Sequence, residues 1–307
     1  MIVATAIDRA FVEPACVLLA SIVANGGIAE AEIVVFGLGL NSQDLKKLKS
    51  SCGPMADRCS LFDLGQMSGR LKKLPVTLSV PSVVTYARLL IPEILSNKAS
   101  RLLYLDSDIV VVGSLRPLMD IPLENSIIAA VPDQPADDSA KAYRSSVLKL
   151  SDPDRYLNAG VLLVDVAAWQ QAGKTDEAFD MINSLPRGTK LAHLDQDVLN
   201  AIFAGRWSDL DRRYNFFQHG YEQSAPLDVF LAKSVVHFAS GNKPWFRDSD
   251  HPARELYLKY RRVTPFADKP LATRNAARAS TLIRSPITTV KNIVHRLVGR
   301  RWGAALH

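Results

Sequence analysis

A chain of 307 residues with 48% apolar and 22% charged residues can bury a full core, as one large α/β domain or a domain plus an appendage. No run of about 18 apolar residues occurs, which excludes a membrane-spanning helix on pattern, and the three cysteines, Cys16, Cys52 and Cys59, have no paired spacing and fit reduced cytosolic thiols rather than a disulfide framework or a zinc site. The net charge of +6 belongs to one segment: Lys269 to His307 carries eight Lys or Arg and no acid, and the remainder holds 29 basic against 31 acidic residues.

The first six residues, Met1-Ile2-Val3-Ala4-Thr5-Ala6, lack a basic start and are followed by Asp8 and Glu13, so no signal peptide is expected. Ile2 to Ala6 is an apolar strand, and Glu13 to Ala24 has helical spacing that closes at Asn25-Gly26-Gly27. Glu32 to Leu38 is a second strand, Ser42 to Ser51 an amphipathic helix capped by Asn41 or Ser42, and Cys59 to Leu64 a third strand. This β-α-β-α-β alternation predicts a parallel sheet with right-handed crossovers, in which ligands sit beyond the carboxyl ends of the strands. Thr5 to Asp8 then lie at a ligand edge, although Asp8 serves equally as a helix cap.

Ser82 to Leu95 reads as a helix carrying Tyr86 and Arg88, with Pro92 near its end. Arg101 to Gly113 follows as one buried strand interrupted by Asp106-Ser107-Asp108. Desolvating an unpaired carboxylate costs on the order of several kcal/mol, so two of them in an apolar run call for compensation. Residues two apart in extended chain share a side, and two hard oxygen donors on one side suit Mg²⁺ or Mn²⁺. The competing reading is a strand end followed by an acidic turn.

Ile127 to Val131 is a strand broken by Pro132-Asp133-Gln134-Pro135, and Ala140 to Leu150 is helical. Asn158 to Asp165 is a strand whose Gly160 marks a close backbone approach or a turn. Leu194 to Ala204 is a helix with Asp195 as its expected N-cap and with Gln196 and Asp197 in the first turn. Ser234 to Phe238 is a short strand ending near His237, and the loop to Lys243-Pro244-Trp245 suits a phosphate. From Ser285-Pro286 onward, Ile287, Val290, Ile293, Val294, Leu297 and Val298 fall at helical spacing among basic residues, with Trp302 at the end. That is the pattern of a helix lying on an anionic membrane surface, or of a solvated helix docked on the body.

Five pieces in one order, Tyr86-Ala87-Arg88, Asp106-Ser107-Asp108, Asn158-Ala159-Gly160-Val161, Asp195 to Asn200, and His237 through Lys243-Pro244-Trp245, resemble family 8 of the glycosyltransferases over roughly Ile2 to Trp245. The resemblance implies an α/β GT-A (Rossmann-like) fold, a mixed sheet flanked by helices, with residues 1–265 catalytic and 266–307 a basic membrane-association tail. It implies retaining transfer of a hexose from a UDP-sugar to a glycan or glycolipid such as a lipopolysaccharide core, at the inner face of the cytoplasmic membrane. Asp106, Asp108 and His237 would ligate Mn²⁺, or Mg²⁺. Thr5, Asp8 and Ser107 would meet the nucleoside, Arg88, Asn158, Asp195 and Gln196 the donor sugar, and Gly241 and Lys243 the diphosphate. Gln196, shielding an oxocarbenium-like state, or Asp195, as a transient nucleophile, would act at the reacting carbon. Two departures from the family's pattern are Ile7, where an acid or polar residue is common, and Ser240, where glycine is common and Gly241 comes next. Two other readings stand beside this one. A sugar nucleotidyltransferase would need a glycine-rich loop that Ala4 to Phe11 lacks, and a nucleic-acid-binding arm fits poorly with a tail that has an apolar stripe and an acidic body.

Overall fold

The structure, a computed structural model, describes residues 1–71, 74–76, 82–123, 126–186, 189–217 and 225–274. Its strands are β1 (Ile2–Asp8), β2 (Glu32–Leu38), β3 (Cys59–Asp63), β4 (Arg101–Leu105), β5 (Ile109–Val111), β6 (Ile128–Pro132), β7 (Leu157–Asp165), β8 (Ser208–Asp209) and β9 (Val235–His237). Seven of them form one sheet in the order β3-β2-β1-β4-β7-β6-β8, and β5 pairs with β9 in a second. β1 to β4 run parallel, as the alternation predicts, whereas β7 is antiparallel to β4 and to β6. The expected mixed α/β sheet is therefore present.

The strands bury both faces, so their residues alternate between two apolar layers rather than between core and water. Ile2, Ala4, Val34 and Phe36 pack with Trp169, Phe179, Leu199 and Phe203 on one side. Val3, Ile7, Ile33 and Val35 pack on the other with Ala15, Leu18, Leu19 and Leu48. The helix Val12–Asn25 follows β1 after a 3-10 turn, Arg9–Phe11, and Asn41 caps Ser42–Ser51 through a reciprocal capping box with Asp44. A third apolar cluster joins β5 and β9 to the first helix and to Arg254–Arg261 through Val110, Val236, Phe238, Val17 and Tyr257.

Three elements differ from the sequence reading. The run Arg101 to Gly113 is not one strand: it leaves the main sheet after Leu105 and re-enters the small sheet at Ile109. The segment Ser82 to Leu95 is not one α-helix but a 3-10 helix, Val83–Leu89, followed by a single α-turn, Ile91–Ile94, with Pro92 at its start. Pro92 has no N–H to continue the ladder from the preceding turn, so the chain restarts there. Asp195 does not cap its helix; Leu194 holds that position and Asp195 is the first helical residue.

The thiols of Cys16, Cys52 and Cys59 are free and buried. Phe266 is buried in the core, and Arg261 donates to the carbonyls of Ala267 and Lys269, so the chain as far as residue 274 lies against the body. The amphipathic pattern from Ser285 to Trp302 lies outside the described residues.

Candidate active site

The site forms where the chain passes from β4 to β5. Asp106 extends the β4–β7 ladder by one bond, its N–H donating to the Gly160 carbonyl at 2.8 Å. The turn Asp106 to Asp108 then swings the chain into the β5–β9 pair, where Ile109 lies opposite His237. The Asp108 carbonyl accepts from the Phe238 N–H at 2.9 Å. A sheet continuation on one side and a two-stranded ribbon on the other thus converge three side chains from distant parts of the chain. One ligand atom from each of Asp106, Asp108 and His237 lies within 4.8 Å of the others.

Two cations line this cluster. Arg88 is buried and donates to Asp106 Oδ1 at 2.7 Å, to Asp195 Oδ2 at 2.7 Å and to the Ala159 carbonyl at 2.5 Å. Its guanidinium stacks 4.6 Å from the Tyr104 ring centre, and Tyr104 donates its hydroxyl to Asp106 Oδ1 at 3.0 Å. Burial works against the charge of Arg88, but Asp106 and Asp195 outweigh it and hold the group firmly protonated. Lys243 Nζ lies 2.5 Å from Asp108 Oδ2 and 2.6 Å from the Phe238 carbonyl. Although burial favours the neutral acid, the Lys243 ammonium, joined by the His237 ring when that ring is charged, holds the Asp108 carboxyl well below the usual carboxylate range.

The set fits a hard divalent ion. Two carboxylates and an imidazole are a usual donor mix for Mn²⁺ or Mg²⁺, leaving positions for oxygens of a bound phosphate. The backbone has been cleared for it: a β-carbon on Gly160 would stand 2.6 Å from His237 Nδ1, and nearer still to Cε1. Only glycine lets the imidazole lie there.

A sequence model of glycosyl transferase family 8 matches residues 2–249. The chain belongs to that family. It is therefore a glycosyltransferase. This family 8 chain is 27% identical over 190 residues to general stress protein A of Bacillus subtilis, covering 58% of this chain and 65% of that protein. It is 27% identical over 271 residues to lipopolysaccharide 1,3-galactosyltransferase of Salmonella typhimurium, covering 86% of this chain and 79% of that one. Among solved structures, galactosyltransferase LgtC in complex with donor and acceptor sugar analogs shares the fold, with a TM-score of 0.72 at 23% identity over 86% of this chain and 96% of its own.

Around the centre of this family 8 enzyme the helix Asp195–Phe203 is pinned at three consecutive residues. Asp195 accepts from Thr85 and Arg88, Gln196 Oε1 accepts from the Ala159 N–H at 3.0 Å, and Gln196 Nε2 donates to Asp133 Oδ2 at 2.6 Å. Asp197, fully buried, accepts from Tyr143 at 2.7 Å, Tyr156 at 2.6 Å and the His193 N–H at 2.8 Å. Leu194 just before them has φ 47° and ψ −113°, a conformation costing roughly 1–3 kcal/mol that such contacts must hold in place. Burial pushes the Asp195 carboxyl up to about 6, against the pull of Arg88 and Thr85.

The remaining sequence-chosen residues divide. Thr5 is buried on β1 with its Oγ1 unpartnered, and Ser107 is buried in the turn. Asp8 accepts from the Ala10 N–H at 2.8 Å, so the cap reading of this residue holds. Asn158 is buried on β7, its Oδ1 accepting from the Gly160 N–H at 3.0 Å. A β-carbon on Gly241 would meet nothing within 4 Å, so no close approach explains that glycine. Sequence reasoning missed Thr85, Tyr104, Asp133 and Asn215. The first two flank residues it did choose, Tyr86 and Asp106, but all four are common polar residues whose spacing carries no period.

Proposed function

We propose that the protein moves a hexose from a UDP-hexose to a saccharide or glycolipid acceptor, such as a lipopolysaccharide core, with retention at the transferred carbon. The observation that carries this reading is the convergence of Asp106, Asp108 and His237 within 4.8 Å, flanked by Arg88 and Lys243. Asp106, Asp108 and His237 would hold Mn²⁺, or Mg²⁺, which supplies Lewis-acid neutralisation of the charge on a diphosphate leaving group. Lys243, close to the same carboxylate, gives a diphosphate a second cation. The unpartnered Thr5 hydroxyl, on β1 beside β4, and Ser107, buried in the turn between the two acids, would meet the nucleoside.

Arg88 and Asn158 hold the donor sugar, with Arg88 oriented by Asp195. Both Asp195 oxygens are engaged, by Thr85 and by Arg88, which favours an orienting role over a nucleophilic one. Gln196, fixed between the Ala159 N–H and Asp133, would shield positive charge at the reacting carbon during same-face attack. The similarity to lipopolysaccharide 1,3-galactosyltransferase over 86% of the chain supports a lipopolysaccharide-type acceptor. Residues 1–265 with the packed stretch as far as residue 274 would form the catalytic unit, and the basic remainder of the segment 266–307 would bring it to an anionic membrane surface. No described helix is long and apolar enough to cross a membrane.

The test is a hydrolysis and transfer screen of UDP-galactose, UDP-glucose and UDP-N-acetylglucosamine, with and without Mn²⁺. Metal-dependent release of UDP from one hexose donor, abolished in Asp108→Ala with the fold intact, is expected. Turnover of Asp108→Ala at the wild-type rate refutes the assignment.

A further inference from the structure

Asn215 has no counterpart among the residues chosen from the sequence, yet it is fully buried beside the candidate metal centre. It follows the 3-10 turn Arg212–Tyr214, and the next residues run alongside β9: the Phe216 N–H donates to the Val235 carbonyl, and the His237 N–H donates to the Phe216 carbonyl at 2.8 Å. This pairing sets Asn215 next to the His237 ring, with Asn215 Oδ1 2.9 Å from His237 Nδ1. On its other side Asn215 Nδ2 lies 2.8 Å from Asn158 Oδ1.

Side-chain amides can be turned over and imidazoles have two tautomers, but here one main-chain group decides all three. The Gly160 N–H can only donate, and it points at Asn158 at 3.0 Å, so the Asn158 atom there is oxygen. That oxygen also faces Asn215, so the Asn215 atom opposite it must be the donating NH₂ group. The Asn215 oxygen is then the atom facing His237, and only a protonated Nδ1 can bond to it. The neutral ring then presents Nε2 as a bare lone pair toward Asp108 Oδ1 at 3.3 Å, two acceptors that face each other and that a divalent ion between them would satisfy. Reversing the ring tautomer would set two lone pairs against each other at Nδ1. Turning Asn215 over to relieve this would instead set its oxygen against Asn158 Oδ1, which Gly160 holds.

We infer that Asn215 is a positioning residue that, relayed from the Gly160 N–H through Asn158, holds His237 with Nδ1 protonated and Nε2 free to ligate a divalent ion. A ligating histidine is fixed in orientation and made more basic by such an acceptor on its other nitrogen, and loss of the acceptor typically weakens metal binding by about 10–100-fold. The arrangement also gives Asn158 a second task, since the oxygen it spends on this relay is not available to a sugar. The inference rests on the metal-centre reading above, but its first test does not require metal.

The full chain labelled with ¹⁵N-histidine is examined by long-range ¹⁵N–¹H correlation in metal-free alkaline buffer, where histidine rings are neutral. The His237 signals, identified by their loss in His237→Gln, are expected to show a protonated Nδ1 and an unprotonated Nε2. A protonated Nε2 in the wild type overturns the inference, and this arm needs no Asn215 variant to fold. Folded Asn215→Leu is expected to lose the tautomer preference and to bind Mn²⁺ about 10–100-fold more weakly, read by electron paramagnetic resonance of free Mn²⁺ in the presence of UDP. Unchanged tautomer and unchanged Mn²⁺ affinity in that variant also overturn it. If the wild type itself binds no Mn²⁺ with UDP present, the metal centre fails, and the ring tautomer still reports separately on Asn215.

Discussion

Gly160 and His237 approach so closely that the glycine hydrogen occupies the only space a side chain could take: a β-carbon would stand 2.6 Å from the imidazole Nδ1. Both belong to rigid strands, β7 and β9, so neither can retreat without disturbing its ladder. The same Gly160 carbonyl receives the Asp106 N–H. One residue thus borders the imidazole with its missing side chain and Asp106, a candidate metal ligand, with its main chain.

Gly160→Ala is accordingly expected to displace His237 while leaving most of the core packed. Mn²⁺ affinity in the presence of UDP should fall at least about tenfold, with a comparable or larger fall in kcat/KM. Titration of Mn²⁺ against turnover separates the two, because saturating metal should recover part of the activity. Wild-type Mn²⁺ dependence in a folded Gly160→Ala protein would show that the close approach is only packing.

The pieces that were readable from the sequence and those that were not differ for physical reasons. Asp106 and Asp108 stood out because charge inside an apolar run demands compensation, and Gly160 because a strand interior rarely spares its side chain. The break of the strand at Ser107 was hidden, because both halves are apolar and β-rich while only tertiary pairing sends them to different sheets. The reversal of β7 was hidden likewise: a strand buried on both faces has the same pattern in either direction. Asp195 misled in the other direction. An acid at a helix start is normally a cap, but here buried Arg88 draws the side chain away from the helix amides. Asn215 gave no signal, since an isolated asparagine after a turn is among the commonest features of any loop.

Lys243 raises a question of competition. Its ammonium lies 2.5 Å from Asp108 Oδ2, on a carboxylate proposed to bind a divalent ion. In Lys243→Met, Mn²⁺ binding without nucleotide should be as tight or tighter, because a competing cation has left. Transfer should nevertheless fall about 10²-fold in kcat, because the diphosphate loses a preorganised donor. Opposite signs in the two assays are the diagnostic result. Weaker Mn²⁺ binding in the variant would mean that Lys243 supports the metal site structurally.

His251 makes stability depend on pH. It is buried against Phe230 and Phe238, its Nδ1 accepts the Ala253 N–H at 3.1 Å, and burial followed by the nearby Lys243 pushes its pKa down to about 4, with Asp250 pulling weakly the other way. The unfolded ring titrates near 6.5, so between pH 6.5 and about 4 the unfolded chain binds more protons and stability falls as the pH drops. Asp195, raised from 3.8 to about 6, works in the opposite direction over part of the same window. Comparison of wild type with His251→Phe isolates the histidine. Urea unfolding at pH 7 and pH 4.5 should show wild type losing roughly 2 kcal/mol more than the variant. Equal losses would place the titration elsewhere.

Asp197 anchors the start of the helix that carries Asp195 and Gln196. Its carboxylate, fully buried, takes hydrogen bonds from Tyr143, Tyr156 and the His193 N–H, so removing it deprives three donors of their acceptor, the buried Tyr156 hydroxyl among them. Asp197→Ala should cost roughly 3–5 kcal/mol from the unpaired groups and the space left behind. Asp197→Asn should cost less, because one oxygen still faces His193 and Tyr143 while the amide nitrogen can donate to the Tyr156 hydroxyl. A double-mutant cycle fixes the interpretation. Tyr156→Phe alone should cost about 1–2 kcal/mol, and the same change made in Asp197→Ala should cost close to nothing. Additive losses in chemical unfolding would mean that the tyrosine and the carboxylate stabilise the helix independently of the bond between them.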